Sequence, residues 1–357
     1  MGGAAVDVCA YGSRWSSEIL FVPRERLRSV VADESFSVAS PLPVYRRWVI
    51  EAWAVFAAIR GGVFESLRRP RTLDALALEE GYESSALRSL VRGLQACGHL
   101  QVDDRGIYRL SESASRFFLR ESEFFVGDAL SFLRTTPKYE EYPTILREGG
   151  AVGLTTEQWA YVTRGSATYT RSAVATLVRC YPELWRRESV RVLDVGCGQG
   201  TYLVELARAL PGMVGLGIDP TARVADEARA NVASLGSRVR VEEATLASIS
   251  ETFDVVLINQ VFHVVGVEVA REMLVQARSR LIPGGHIFVQ EIVTQESDPG
   301  STLFGFNMRM LFENGTVFDL EELKRIVTNA DFLDVRAHMV GGPTPGLVYV
   351  AGRVAVP

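Results

Sequence analysis

The spacing of apolar positions changes near residue 185 and divides the chain in two. Before that point large apolar residues recur every three or four positions, the period of a helix face. After it, short apolar runs alternate with helical stretches. The first helical pattern runs from Val44 to Ile59 and includes Trp48, Ala52, Val55, Phe56 and Ile59. Gly61-Gly62 ends it. A helix so apolar is expected to be buried, in its own domain or against a partner subunit. Residues 1–40 have weak periodicity, and Pro41-Leu42-Pro43 marks the boundary of this extension.

Arg71–Ala77, then Gly81, then Ser84–Ala96 predict two helices around a tight turn, with Thr72 and Ser84 as N-caps. His99–Val102 and Ile107–Leu110 flank Asp103–Gly106, which predicts a hairpin. Two helices and a hairpin make a winged helix. Residues 111–185 read as mostly helical connectors: Ser113–Phe125, Val126–Leu133, Tyr139–Arg147 and Thr168–Tyr181. They carry Phe124, Phe132, Tyr139, Tyr142, Trp159, Tyr161 and Tyr169. Core packing and an aromatic slot for a planar substrate both suit such residues.

Strands are expected at Val190–Val195, Val214–Ile218, Arg238–Glu242, Phe253–Ile258 and His286–Glu291, with helices Tyr202–Leu210 and Val269–Leu281 between them. Helix Leu320–Ala330 precedes a last pair, Val335–Val340 and Leu347–Val350. Alternating strands and helices imply an α/β doubly wound sheet. The expected organisation is an extension at 1–40, a winged helix at 41–120, a helical connector at 121–185 and an α/β domain at 186–357.

At 357 residues the chain is long enough for two domains, and 47% hydrophobic residues support real cores. A net charge of −5, with arginines scattered among acids, argues against a nucleic-acid surface. That turns the winged helix from DNA binding toward dimerisation. The four cysteines, at 9, 97, 180 and 197, are too scattered for a zinc knuckle or a disulfide scaffold. No apolar run approaches the ~20 residues of a membrane span. Met1–Ala10 lacks the pattern of a secretory signal, so the cytoplasm is the expected location.

The chemistry concentrates at Val190–Thr201, where an apolar strand meets Gly196, Gly198 and Gly200 and then a helix. Such glycines let the backbone turn tightly and approach a ligand without a Cβ in the way. About twenty residues on, the second strand ends in Asp219, where a carboxylate suits the two hydroxyls of a ribose. The spacing is G-x-G-x-G rather than G-x-G-x-x-G, and Asp194 precedes the first glycine by two. A carboxylate would repel a pyrophosphate but would attract the ammonium and sulfonium of S-adenosylmethionine. The residues therefore favour S-adenosylmethionine over a dinucleotide.

This segment closely resembles motif I of the class I S-adenosylmethionine-dependent methyltransferases, V-L-D-V-G-C-G-x-G. A winged helix ahead of such a domain resembles the small-molecule O-methyltransferase family of plants and bacterial natural-product pathways, over roughly residues 45–350. The resemblance implies a closing antiparallel strand pair, a homodimer built by the N-terminal part, and a small-molecule substrate. It places the cofactor among Asp194, Gly196, Gly198, Gly200, Asp219, Thr245, Asn259 and Gln260. The family usually has Gly-Asp after its third strand; this chain has Ala244-Thr245.

His263 is the sharpest catalytic candidate. The family carries His-Asp-Trp-x-x-Glu here, and its histidine deprotonates the substrate hydroxyl. In this chain His263 and Glu268 match, while Val264 and Val265 replace Asp and Trp. Histidine as a residue type accepts protons near neutral pH, and a phenol, pKa ~10, needs a base to become a good nucleophile. Trp159, Phe262, Phe306, Asn307 and Met310 are expected at the acceptor pocket, Asn307 toward a polar group. No metal is expected: the stretch Phe304–Leu311, where some metal-binding relatives place a second ligand, holds none. The expected activity is O-methylation of a small, aromatic metabolite with His263 as base. C- or N-methylation on the same scaffold stays open, as do a cofactor-binding protein that does not methylate and a DNA-binding regulator.

Overall fold

The computed structural model describes residues 42–122, 124–295, 298–341 and 346–356. The expected extension at 1–40, Cys9, and the side chain of Phe132 lie outside them. The chain forms two compact units, one running to Ser122 and the other from residue 124 onward, so the connector at 124–185 clusters with the second.

The first unit opens with α1 (Leu42–Arg60), followed by β1 (Arg71–Thr72), α2 (Leu73–Glu80), α3 (Ser84–Ala96), β2 (Leu100–Val102) and β3 (Ile107–Leu110). The strands form an antiparallel sheet in the order β1-β3-β2, so the two helices and the hairpin are present. Thr72 caps α2 as expected, its hydroxyl accepting the Ala75 N–H at 3.3 Å. At α3 the expected Ser84 gives way to Glu83. The Glu83 carboxylate accepts the Ser85 and Ala86 N–H groups at 2.9 and 2.7 Å, and Ser84 is already helical. A carboxylate has two oxygens for the unpaired donors of the first turn and suits the positive helix end.

Within this unit α1 buries Val55, Ala58 and Ile59. Leu42, Tyr45, Trp48, Val49 and Ile50 are 57–63% exposed, and Trp53 is 39% exposed. Tyr45, Val49 and Trp53 follow helical spacing, so the exposed apolar groups form a stripe along the N-terminal part of α1.

The second unit is built on a seven-stranded sheet in the order β6-β5-β4-β7-β8-β10-β9. The strands are β4 (Val190–Val195), β5 (Met213–Asp219), β6 (Val239–Glu243), β7 (Phe253–Asn259), β8 (Leu281–Ile292), β9 (Leu333–Met339) and β10 (Leu347–Arg353). β4 to β8 run parallel; β10 is antiparallel to both β8 and β9. The expected closing pair is therefore present. Helices α4 (Thr156–Ser166), α5 (Thr170–Cys180), α6 (Thr201–Ala209), α7 (Ala222–Val232), α8 (Phe262–Ser279), α9 (Pro299–Leu311) and α10 (Leu320–Asn329) accompany the sheet. One core cluster packs α5, α6 and α7 against one face of the sheet; a second packs α8 and α10 against the other. The central strands are buried on both faces, hence their unbroken apolar runs.

The connector differs most from expectation. Its helix at 113–125 stops at Phe117, a 3₁₀ stretch spans Ala129–Glu141, and α4 stands where no helix was expected. The pattern there is aromatic rather than aliphatic, so it carries a weak periodic signal.

Candidate active site

β4 is flanked by β5 on one side and β7 on the other. This is the point where strand order reverses, and ligands bind outside the carboxyl ends of strands at such a point. The glycine loop lies here. Gly196, Gly198 and Gly200 have φ of 67°, 53° and 69°, in the left-handed region that favours glycine. A Cβ on Gly196 would stand 2.7 Å from Cγ2 of Val261. We expect Gly196→Ala to lower stability by about 2 kcal/mol in urea unfolding, and Val261→Ala added to it to restore part of the loss.

Beside the loop, Asp194 is 1% exposed. Its Oδ1 accepts Asn259 Nδ2–H at 3.3 Å, while Oδ2 has no partner among the described residues. Burial pushes this carboxyl up to about 7; the Asn259 bond works against the rise, and the Asp219 charge adds to it. Asp219, also buried, accepts the Gly198 N–H at 3.2 Å and the Thr221 N–H at 2.9 Å. Burial raises its pKa despite those two bonds. A carboxylate has about four lone-pair sites, so Asp219 keeps capacity for two hydroxyls. Asn259 Oδ1 and Gln260 Nε2 are buried without partners among the described residues. Gln260 sits at φ 59°, a strained value for a residue with a side chain. Thr245 lies beyond β6 and is exposed. Cys197 is buried with its thiol pushed far up by burial, which fits a small filler and not a nucleophile.

His263 sits in the first turn of α8 and is 7% exposed. Its Nδ1 lies 2.6 Å from Oε2 of Glu291, which is fully buried at the end of β8. The other carboxylate oxygen of Glu291 accepts the Phe262 N–H at 2.7 Å. Glu291 is thus held at both oxygens, and the ring of His263 packs edge-on against Phe304 at 5.0 Å.

Glu268, expected beside His263, is not there. Gly266, at φ 80° and ψ 176°, breaks the helical phase of α8. Past the break the Glu268 side chain is 80% exposed and pairs with Arg271. A Cβ on Gly266 would stand 2.6 Å from the Asn314 carbonyl, so the break is packed in place. We expect Glu268→Ala to leave turnover within about twofold, as for a surface residue away from the chemistry.

Two expected pocket residues belong to cores instead. Phe262 is 0% exposed and meets Phe318 edge-on; it contributes its backbone N–H, not its ring. Met310 is also 0% exposed, in a small cluster with Met308 and Leu311. Both lie on the inward sides of their helices, where apolar burial wins. The remaining three stay partly accessible. Trp159 stacks on Phe312 at 5.1 Å. Phe306 stacks on Tyr139 and meets Tyr142 edge-on. Asn307 Oδ1 accepts the Tyr139 hydroxyl at 2.5 Å.

The sequence puts Glu291 at the end of an expected strand but does not pair it with His263 as a catalytic partner. The signal was Gln290-Glu291 closing an apolar strand: two adjacent polar residues on a strand buried on both faces send one side chain to each.

Residues 192–285 match the model of a family described as a methyltransferase domain. This part of the chain is a methyltransferase domain. Its cofactor is S-adenosylmethionine, and the residues fit that molecule. The buried, unpartnered Oδ2 of Asp194 and Oδ1 of Asn259 are acceptors for an ammonium, and Asp219 has capacity for a ribose. Among curated relatives, the release factor glutamine methyltransferase of Bradyrhizobium diazoefficiens is 28% identical over 151 residues, covering 34% of this chain and 51% of that one. The chain thus spans about half the length of that relative. Among solved structures, a Nostoc punctiforme protein provisionally described as an O-methyltransferase aligns with a TM-score of 0.76 at 20% identity, over 88% of this chain and 100% of that one. Human N-acetylserotonin methyltransferase, solved with S-adenosylmethionine, aligns with a TM-score of 0.74 at 18% identity, over 90% and 99%. These likenesses extend the shared fold across both units. No helix among the described residues is long and apolar enough to cross a membrane.

Proposed function

We propose that the chain is a homodimeric, cytoplasmic S-adenosylmethionine-dependent methyltransferase that methylates a hydroxyl of a small aromatic metabolite, with His263 as general base. The observation that carries this reading is the His263–Glu291 pair at 2.6 Å, on the same sheet edge as the glycine loop. A carboxylate accepts hydrogen bonds and donates none when ionised, so Nδ1 carries the proton and donates to Glu291. That leaves the Nε2 lone pair for the substrate. Nε2 takes the hydroxyl proton as the oxygen becomes the nucleophile. Glu291 holds the ring in this tautomer and stabilises the imidazolium that forms, and the proton passes to water after the product leaves. When bound, S-adenosylmethionine supplies an electrophilic methyl on a positively charged sulfur. Asp194 and Asn259 bind its ammonium, Asp219 its ribose, and Asn307 with Phe306 and Trp159 line the acceptor side. The remaining work is orientation of the two reactants.

The test is incubation with isotopically labelled S-adenosylmethionine and a panel of phenols, amines and keto acids, with products identified by mass spectrometry. Label on the oxygen of a phenol supports the reading; label confined to carbon or nitrogen gives the site to the alternative chemistry. The dimer rests on the exposed stripe of α1, which is larger than scattered surface residues require. We expect Trp48→Asp with Val49→Asp to convert a dimer to a monomer in analytical ultracentrifugation.

A further inference from the structure

Behind Asp194, the sheet holds a buried polar group that the proposed chemistry does not use. Asn259, Gln290 and Tyr349 are direct register partners on the adjacent strands β7, β8 and β10, so their side chains share one face. Gln290 and Tyr349 are both 0% exposed. Tyr202, in the first turn of α6, donates its hydroxyl to Gln290 Oε1 at 2.5 Å. The Gln290 Nε2 and the Tyr349 hydroxyl have no partner among the described residues, and neither have Asp194 Oδ2 and Asn259 Oδ1. Two buried donors and two buried acceptors therefore stand unpaired in one region of the core. An unsatisfied buried polar group is destabilising, and four together are rare in a native core. Tyr202 and Tyr349 are also electrostatic neighbours of Asp194. The donors have the complementary chemistry to the acceptors.

We propose that Tyr349, Gln290 and Tyr202 are positioning residues of the cofactor site: through hydrogen bonds inside the core, direct or through an ordered water, they hold the Asp194 carboxylate and set the pH at which it ionises. The proposal rests on the reading of Asp194 as the partner of the cofactor ammonium. Donors that reach a carboxylate favour its charged form, and the charged form binds an ammonium. The other titratable groups that face Asp194 are few. Asp219 stands across on β5 and raises it, and Cys197 lies in the glycine loop. Tyr169 neighbours Tyr202. Glu291 follows Gln290 on β8 and points to the opposite face, toward His263.

Tyr349→Phe removes one hydroxyl and keeps the ring. Two measurements are made on it and on the wild type. The first is stability of the ligand-free protein from pH 5 to 9, read against Asp194→Asn, which lacks the titration. The second is calorimetric binding of S-adenosylhomocysteine at pH 7 and pH 9. If the proposal holds, the upper end of the Asp194-linked stability change, where it levels off, rises by about one pH unit in Tyr349→Phe. Binding weakens about fivefold at pH 7 and matches the wild type at pH 9, where Asp194 is ionised in both. A hydroxyl that is merely idle in the core gives a different result: an unchanged upper end and binding equal to the wild type at both pH values. That result overturns the proposal. Tyr202→Phe serves as a second variant if Tyr349→Phe does not fold, with the same shift expected in the same direction. If the wild type binds no S-adenosylhomocysteine, the cofactor reading fails, while the stability arm still decides the link between Tyr349 and Asp194.

Discussion

His263→Ala lowers turnover on the phenolic acceptor by about 10²- to 10⁴-fold and leaves binding of S-adenosylhomocysteine within about threefold. The expectation follows from where the ring sits. It is buried and its Nδ1 lies 2.6 Å from Glu291, and in the proposed mechanism Nε2 serves the acceptor. Glu291→Gln separates position from proton chemistry, because an amide has nearly the same shape. Its single oxygen can still accept the Phe262 N–H, so α8 keeps its entry. Turned toward Nδ1, the amide NH₂ donates where a carboxylate accepted, and the ring must move its proton to Nε2. That tautomer has no lone pair for the substrate, so we expect at least a 10²-fold loss in kcat with KM for the cofactor unchanged. Steady-state kinetics with a single phenol read both variants. Should both keep turnover near wild type, the nucleophile needs no base, and carbon or nitrogen methylation takes over as the better reading.

Asp194→Asn has the second large effect, and it acts in two directions. Cofactor affinity falls thirtyfold or more, since removing one partner of a buried charge pair costs about 2–5 kcal/mol. Stability of the ligand-free protein moves the other way. The folded pKa of Asp194, about 7, lies above its ordinary 3.8, so the folded state holds the proton more tightly than the unfolded state. As far as this group is concerned, stability is full below about pH 4 and is lost as pH rises through about 7. The rise corresponds to up to about 4 kcal/mol at pH 8. Asparagine carries no such loss. Urea unfolding at pH 8 should therefore show the variant to be more stable than the wild type; by pH 5 the gap should narrow to less than half, and it should close near pH 4. A site that binds its ligand by giving up stability shows this pattern; a structural carboxylate does not.

The β/α half was legible in the sequence because its strands are buried on both faces and bounded by glycines, as at Val190–Gly196. Its glycine loop was legible because Gly196, Gly198 and Gly200 stand where φ is positive. The two helices and the hairpin after them were legible for the same local reasons: a threonine cap at Thr72, a glycine at Gly81 with φ 71°, and a turn at Asp103–Gly106. What failed depended on phase or on distance along the chain. Glu268 follows His263 by five residues, but Gly266 breaks the helix between them, and no periodicity rule carries across such a break. Its place is taken by Glu291, twenty-eight residues on, brought in by the pairing of β7 with β8. Phe262 and Met310 are expected at the pocket from the family resemblance and their residue type, and neither tells the inward from the outward side of a helix turn. The connector was least legible. Its aromatics serve stacking pairs such as Trp159 with Phe312 and Phe306 with Tyr139, whose partners are far away in sequence.

The measurement that bears most directly on the whole account is calorimetric binding of S-adenosylhomocysteine to the wild type and to Asp219→Ala. Asp219 closes β5 beside the glycine loop, and its carboxylate has capacity for two ribose hydroxyls. The account predicts micromolar binding to the wild type and a loss of tenfold or more in the variant. Absence of binding to a folded wild type would contradict it.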